Sequence, residues 1–193
     1  TERVKKVKKF ELTNEFITNM FGTKLFRIRA LVEFGDVEAG ELGGYVEKES
    51  NLGHDDNAWV YDNAWVYGDA QVSGDALVYG NARVYGNAWV YGNAWVYGNA
   101  WVYGNALVCS DEDYAYAHGF GSVNRTTTFF RLKDGGVGVR CGCFYGTLAQ
   151  FRDKIRETHG ETKKAQEYLM LADLMELRFE EDENEVGNRK YVE

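Results

Sequence analysis

From Ala58 to Cys109 one six-residue unit recurs nine times, with alanine at 58, 64, 70, 76, 82, 88, 94, 100 and 106 and valine two residues after each. Six residues are too few for a helical hairpin or a propeller blade, so each unit is one short strand and a turn. Such units bury nothing alone. Stacked on one another they share a core, and the sequence therefore predicts a β-solenoid.

The consensus is Gly-Asn/Asp-Ala-X-Val-Tyr, as in Gly86-Asn87-Ala88-Trp89-Val90-Tyr91. Side chains alternate across a strand, so Ala and Val point to one side and X and Tyr to the other. Gly-Asn or Gly-Asp makes the corner, because glycine adopts positive φ without steric cost and Asn/Asp bond locally to turn backbone. Alanine beside β-branched valine gives a narrow interior.

This pattern resembles the hexapeptide-repeat left-handed parallel β-helix, with Val60, Val66, Val72, Val78, Val84, Val90, Val96, Val102 and Val108 inside. In that family three hexads make one triangular coil, which implies three coils here, about 4.8 Å apart. The resemblance speaks to fold and leaves activity open, since function resides in sites.

The 193 residues suit one compact unit or two small lobes around the solenoid. No signal peptide and no apolar run near the ~20 residues of a membrane span is expected, which places the protein in the cytoplasm. Cys109, Cys141 and Cys143 are an odd count, against a secreted disulfide framework. A net charge of −8 argues against nucleic-acid coating. The basic run Arg3-Val4-Lys5-Lys6-Val7-Lys8-Lys9 reads as a solvated N-terminal arm, with an acidic partner as the competing reading.

Residues 1–57 read as an N-terminal β cap, 58–109 as the β-helix and 110–193 as a C-terminal α+β lobe, giving a mainly β fold. Within the cap, residues 23–31 alternate as a strand, and Val46 and Leu52, six apart, suggest an imperfect first coil. In the lobe, residues 126–132 and 137–141 around Asp134-Gly135-Gly136 form a hairpin. Thr147 caps a helix with Leu148, Phe151 and Ile155 on one face. A second helix spans about 161–178 on Ala165, Tyr168, Leu169, Ala172 and Met175. The acidic run Glu180-Glu181-Asp182-Glu183 reads as a mobile tail.

The lobe segments 121–131, Cys141-Gly142-Cys143-Phe144 and His159-Gly160 are similar to a module of bacteriophage and prophage proteins that also carry these hexads. Leu42-Gly43-Gly44-Tyr45-Val46-Glu47-Lys48-Glu49 resembles their segment before the repeats. The resemblance brings no assigned chemistry.

Parity turns twelve aromatics outward: Trp59, Trp65, Trp89, Trp95 and Trp101 before the valines, and Tyr61, Tyr67, Tyr79, Tyr85, Tyr91, Tyr97 and Tyr103 after them. At 150–250 Å² each, they exceed the apolar patch a soluble monomer shows. Three readings compete: ladders that only stiffen the sheets, faces that pack into an oligomer, and a surface for a planar ligand or partner protein. The expected interface is Trp59, Tyr61, Trp65, Tyr67, Trp89, Trp95, Tyr97, Trp101 and Tyr103.

Hexapeptide-repeat relatives include acyltransferases with a histidine between subunits. His54, His118 and His159 all lie outside the regular hexads, and no long loop interrupts the repeat, so His54 at the cap is the least poor base for that alternative. Cys109, Cys141, Cys143 and His118 have zinc-compatible chemistry but not the usual CxxC spacing. Cys143 with His159 lacks an arguable oxyanion arrangement. Arg125, Thr127, Arg131 and Arg140 are candidates for a small-anion site, with strand residues on a solvated face as the competing reading. The expectation is a non-enzymatic phage-type binding or scaffold protein without metal or cofactor. It would assemble as a homotrimer, or as a dimer, and block a host protein or sequester a nucleotide signal as an anti-defence factor. Acyl-CoA-dependent acyl transfer and a structural phage component are the alternatives.

Overall fold

The computed structural model describes residues 7–180. The acidic run from Glu181 onward and the basic residues Arg3, Lys5 and Lys6 lie outside that range. The chain opens with an antiparallel pair, β1 (Phe10–Thr18) and β2 (Lys24–Ala30), followed by β3 (Leu42–Val46). Nine two-residue strands follow: β4 (Trp59–Val60), β5 (Trp65–Val66), β6 (Gln71–Val72), β7 (Leu77–Val78), β8 (Arg83–Val84), β9 (Trp89–Val90), β10 (Trp95–Val96), β11 (Trp101–Val102) and β12 (Leu107–Val108).

Every third strand pairs in parallel, so β5, β8 and β11 form one face, β4, β7 and β10 a second, and β6, β9 and β12 a third. The stack extends upward, because β3 pairs in parallel with β5 through Val46 and Val66 and an isolated bridge joins Leu52 to Val72. The result is a β-solenoid of about four turns. The valines and alanines of all nine hexads are buried in one continuous core, as parity requires. At seven corners, from Gly68 to Gly104, a glycine carries the positive φ, and at the corner before them Asp62 does so with φ of 51°. Gly86 has φ of 72°, and a Cβ there would lie 2.9 Å from the backbone nitrogen of Gly104 in the next coil.

Both ends of the solenoid would expose unpaired strand backbone, and side chains seal them. At the N-terminal end the Lys9 ammonium donates to the carbonyl of Ala58 at 2.7 Å, and Asn51 Nδ2 donates to Gly68 and Ala70. At the other end the Trp95 amide donates to Asp111 Oδ1 at 2.7 Å, the Trp101 amide to Thr128 Oγ1 at 3.0 Å and the Cys109 amide to Asp113 Oδ2 at 3.0 Å. Lys9 is thus not part of a solvated arm. It is buried against the Asp56 carboxylate and Phe34, and desolvation holds its pKa below the ordinary lysine value.

The C-terminal lobe is a four-stranded antiparallel sheet, β13 (Tyr114–Phe120), β14 (Arg125–Arg131), β15 (Val137–Cys141) and β16 (Phe144–Thr147), covered by α1 (Leu148–His159) and α2 (Lys163–Phe179). Thr147 caps α1 by accepting the Gln150 amide at 3.2 Å. The sheet lies between the last coil and the helices. Phe130 joins the solenoid core, whereas its neighbour Phe129 packs with Phe151, Ile155, Tyr168 and Ala172.

One expected interface residue is covered. Trp59 does not face outward to a partner: the cap folds over it, Phe10 and Phe34 meet its ring edge-on, and it is fully buried. Cys141 pairs with Phe144, and Cys143 lies in the two-residue turn, 142–143, between β15 and β16.

Candidate functional site

The three solenoid faces use their aromatics differently. On the β5–β8–β11 face the Arg83 guanidinium lies 4.1 Å from the Trp65 ring centre and 4.8 Å from that of Trp101. Arg27 covers Tyr45 above and Arg140 covers Trp101 and Tyr103 below, so arginines bracket and interrupt the row of rings along the face. Beside them Tyr67, Tyr85 and Tyr103 stack at 4.8 and 4.4 Å, and Tyr145 closes the row against Tyr103. Each cation–ring contact contributes on the order of 1 kcal/mol. Burial in this row pushes the Tyr67 hydroxyl up to about 12. Trp65, Tyr67, Trp101 and Tyr103 are half-buried and largely satisfied within the chain.

The outward surface that remains available is a band around the corner at Gly92-Asn93. Trp89, Trp95 and Tyr97 are 45%, 48% and 41% exposed, leaving roughly 300 Å² of aromatic surface. That is the size of the largest patch on an ordinary monomer, a patch that is often functional. It is also much less than twelve outward rings would present, because the cap, the arginines and stacking cover much of the rest. Lys133 reaches over Trp89 at 4.3 Å while donating to the Asn87 carbonyl at 2.8 Å. Tyr97 stacks on Tyr79 at 5.4 Å, and Tyr61 lies half-buried farther up this face.

Where the band meets the C-terminal lobe it borders a cleft of about 410 Å³ lined by Tyr97, Asp111, Tyr114, Ala115, Tyr116 and Arg178. Tyr114 and Tyr116 stand edge-on to Tyr97, each 6.2 Å away. The lining is held in place. Tyr114 donates to the Trp95 carbonyl at 2.6 Å, and Arg178 Nη2 donates to the Asp111 carbonyl at 3.3 Å. Burial raises the Tyr114 pKa, so its hydroxyl remains a donor. Three fixed rings, one carboxylate and one guanidinium favour a planar or aromatic group carrying polar edges.

The residues expected to hold an anion together are dispersed. Arg125, Thr127 and Arg131 belong to β14, but Thr127 is buried and donates to Cys141 Sγ at 3.2 Å, and Arg131 pairs with buried Asp113 at 3.1 Å. Arg140 lies on the opposite side of the sheet, against the solenoid rings. His54 is a packing element of the cap: its ring stacks on Phe10 at 4.2 Å, Nδ1 accepts the Lys9 amide at 3.2 Å, and desolvation lowers its pKa. Among the described residues, no three His, Cys, Asp or Glu side chains gather as a metal site. Cys109 Sγ instead meets Asp113 Oδ2 at 2.9 Å.

Two apolar features lie outside the expected interface. The β1–β2 turn presents Met20 and Phe21 to solvent, and α2 exposes Met170, Leu174 and Leu177. The helical spacing of the latter was readable, but the apolar stripe of Ala165, Tyr168, Ala172 and Met175 is the one that packs inward.

Four overlapping windows of the solenoid, residues 70–86, 76–92, 82–98 and 88–104, match the YdcK beta solenoid repeat. This is a β-solenoid repeat protein. The match rests on the coils that carry Arg83, Trp89, Trp95 and Trp101 and does not reach the cap or the C-terminal lobe. No curated protein sequence matches the chain. No helix among the described residues is long and apolar enough to cross a membrane.

Proposed function

We propose that the protein is a non-enzymatic binding and scaffold protein that self-associates through its exposed aromatic band and presents the adjoining tyrosine cleft to a partner. The observation that carries this reading is the contrast between faces. One aromatic face is neutralised by interleaved arginines, whereas Trp89, Trp95 and Tyr97 remain nearly half exposed on a scaffold whose ends are sealed. Trp and Tyr on rigid elements are the side chains that dominate binding interfaces. The band alone falls short of the ~800 Å² per partner of a stable interface, so it acts as the apolar centre of a larger contact.

In the finer form of this reading, the coils are those of a left-handed hexapeptide β-helix and three copies pack around an axis. The phage-type resemblance of the cap and lobe adds a cytoplasmic anti-defence role, with a host protein or a nucleotide signal in the Tyr97–Tyr114–Tyr116 cleft. Sedimentation velocity over a protein concentration series tests the self-association. Wild type should shift to a larger species that Trp95→Ala with Tyr97→Ala abolishes; identical sedimentation of the two proteins as monomers would refute it.

A further inference from the structure

A second cleft, of about 220 Å³, opens on the far side of the lobe from the solenoid, between the β15–β16 turn and the helices. Its walls are apolar and aromatic, formed by Phe144, Phe151 and Ile155 with the Tyr168 ring. Its charged lining is basic, Arg125 and Lys154, with His159 beside them and no carboxylate among the lining residues. In a chain of net charge −8 this is a local reversal.

Arg125 holds a specific place in it. Gly142 in the β15–β16 turn has φ of 60°, which favours glycine there, and the Arg125 guanidinium lies directly over it. Arg125 forms no ion pair within the described residues. Lys154, by contrast, already pairs with Glu157 at 2.8 Å, one turn away on the exposed side of α1. In the same cleft the His159 ring stacks near Tyr168 at 6.0 Å, and the Tyr168 hydroxyl lies 3.9 Å from Cys141 Sγ. Burial pushes that hydroxyl up to about 12, with Arg125 close enough to oppose the rise, so it remains a neutral donor.

We infer that this cleft binds a small aromatic anion, an aryl carboxylate or aryl phosphate, with its ring laid against the partly exposed Phe144 and its charged group on Arg125. A guanidinium presents two parallel N–H donors to such an oxyanion. A cavity of this size admits one ring and little more. The site is independent of the solenoid band, so its failure leaves the reading of that band untouched.

Titration of the intact protein with benzoate, phenyl phosphate, inorganic phosphate and benzyl alcohol, followed calorimetrically, tests it. Benzoate or phenyl phosphate should bind saturably, and the stronger of the two identifies the acid class. Arg125→Gln should weaken that binding about tenfold to a hundredfold, the worth of a charge-assisted hydrogen bond. Arg125 is exposed, so the variant should keep the wild-type melting temperature, and Lys154→Gln should bind nearly as wild type. The inference is overturned if neither aryl anion binds at millimolar concentration, if Arg125→Gln binds as tightly as wild type, or if inorganic phosphate or neutral benzyl alcohol binds as well as the aryl anions.

Discussion

The Arg131 guanidinium meets the Asp113 carboxylate at 3.1 Å in a buried pair directly beneath the last coil, and the other oxygen of that carboxylate accepts the amides of Cys109 at 3.0 Å and Ser110 at 3.1 Å. One carboxylate therefore both ends the solenoid and joins it to the C-terminal sheet. Removing one partner of a buried pair leaves an uncompensated charge, which costs about 3–5 kcal/mol. Asp113→Asn should lower unfolding free energy by that order in urea denaturation. A loss below 1 kcal/mol would show that the junction does not depend on the pair.

The hexad period makes the core legible to the residue, because a small side chain, a valine and a turn repeated nine times admit one parity. It also suggests the extra coil, through Val46 and Leu52. Parity does not show what lies over an outward position, so Trp59 reads as surface although Phe10 and Phe34 cover it. The covering strand β1 is hard to read because its pairing with β2 shifts register between Leu12 and Phe16, which breaks the alternation. The anion cluster failed for a related reason. Thr128 pairs with Arg140, so Arg140 shares a side of the sheet with residues 128 and 130 and not with Arg125, Thr127 and Arg131. Arg125 joins His159 and Tyr168 only through the packing of helices on the sheet, which no local pattern encodes.

The corner glycines set a second expectation. Gly86→Ala forces an L side chain into the left-handed region and against the backbone of Gly104, a cost of about 1–3 kcal/mol. Asn87→Ala at the exposed neighbouring position should cost well under half of that. Paired thermal melts decide it, and equal losses in the two variants would contradict the stacking account of the corners.

His54 supplies a pH dependence. Burial under the cap holds its folded pKa below the ordinary value of 6.5, so the folded state prefers neutral imidazole. The contribution is fully present above pH 6.5 and is lost as pH falls through the folded value, because protons then bind the unfolded chain more readily. Between pH 7 and pH 5, wild type should lose more stability than His54→Asn in chemical denaturation. Parallel pH profiles would show that the histidine is not desolvated by the cap.

Native mass spectrometry of the intact protein, purified from bacterial cytoplasm without refolding, addresses the aromatic band most directly, since stoichiometry and any retained ligand appear in one spectrum. The account predicts a trimer for wild type and a monomer for the combined Trp95→Ala and Tyr97→Ala variant. A wild-type monomer at every concentration, or an oligomer that survives the double substitution, would contradict it.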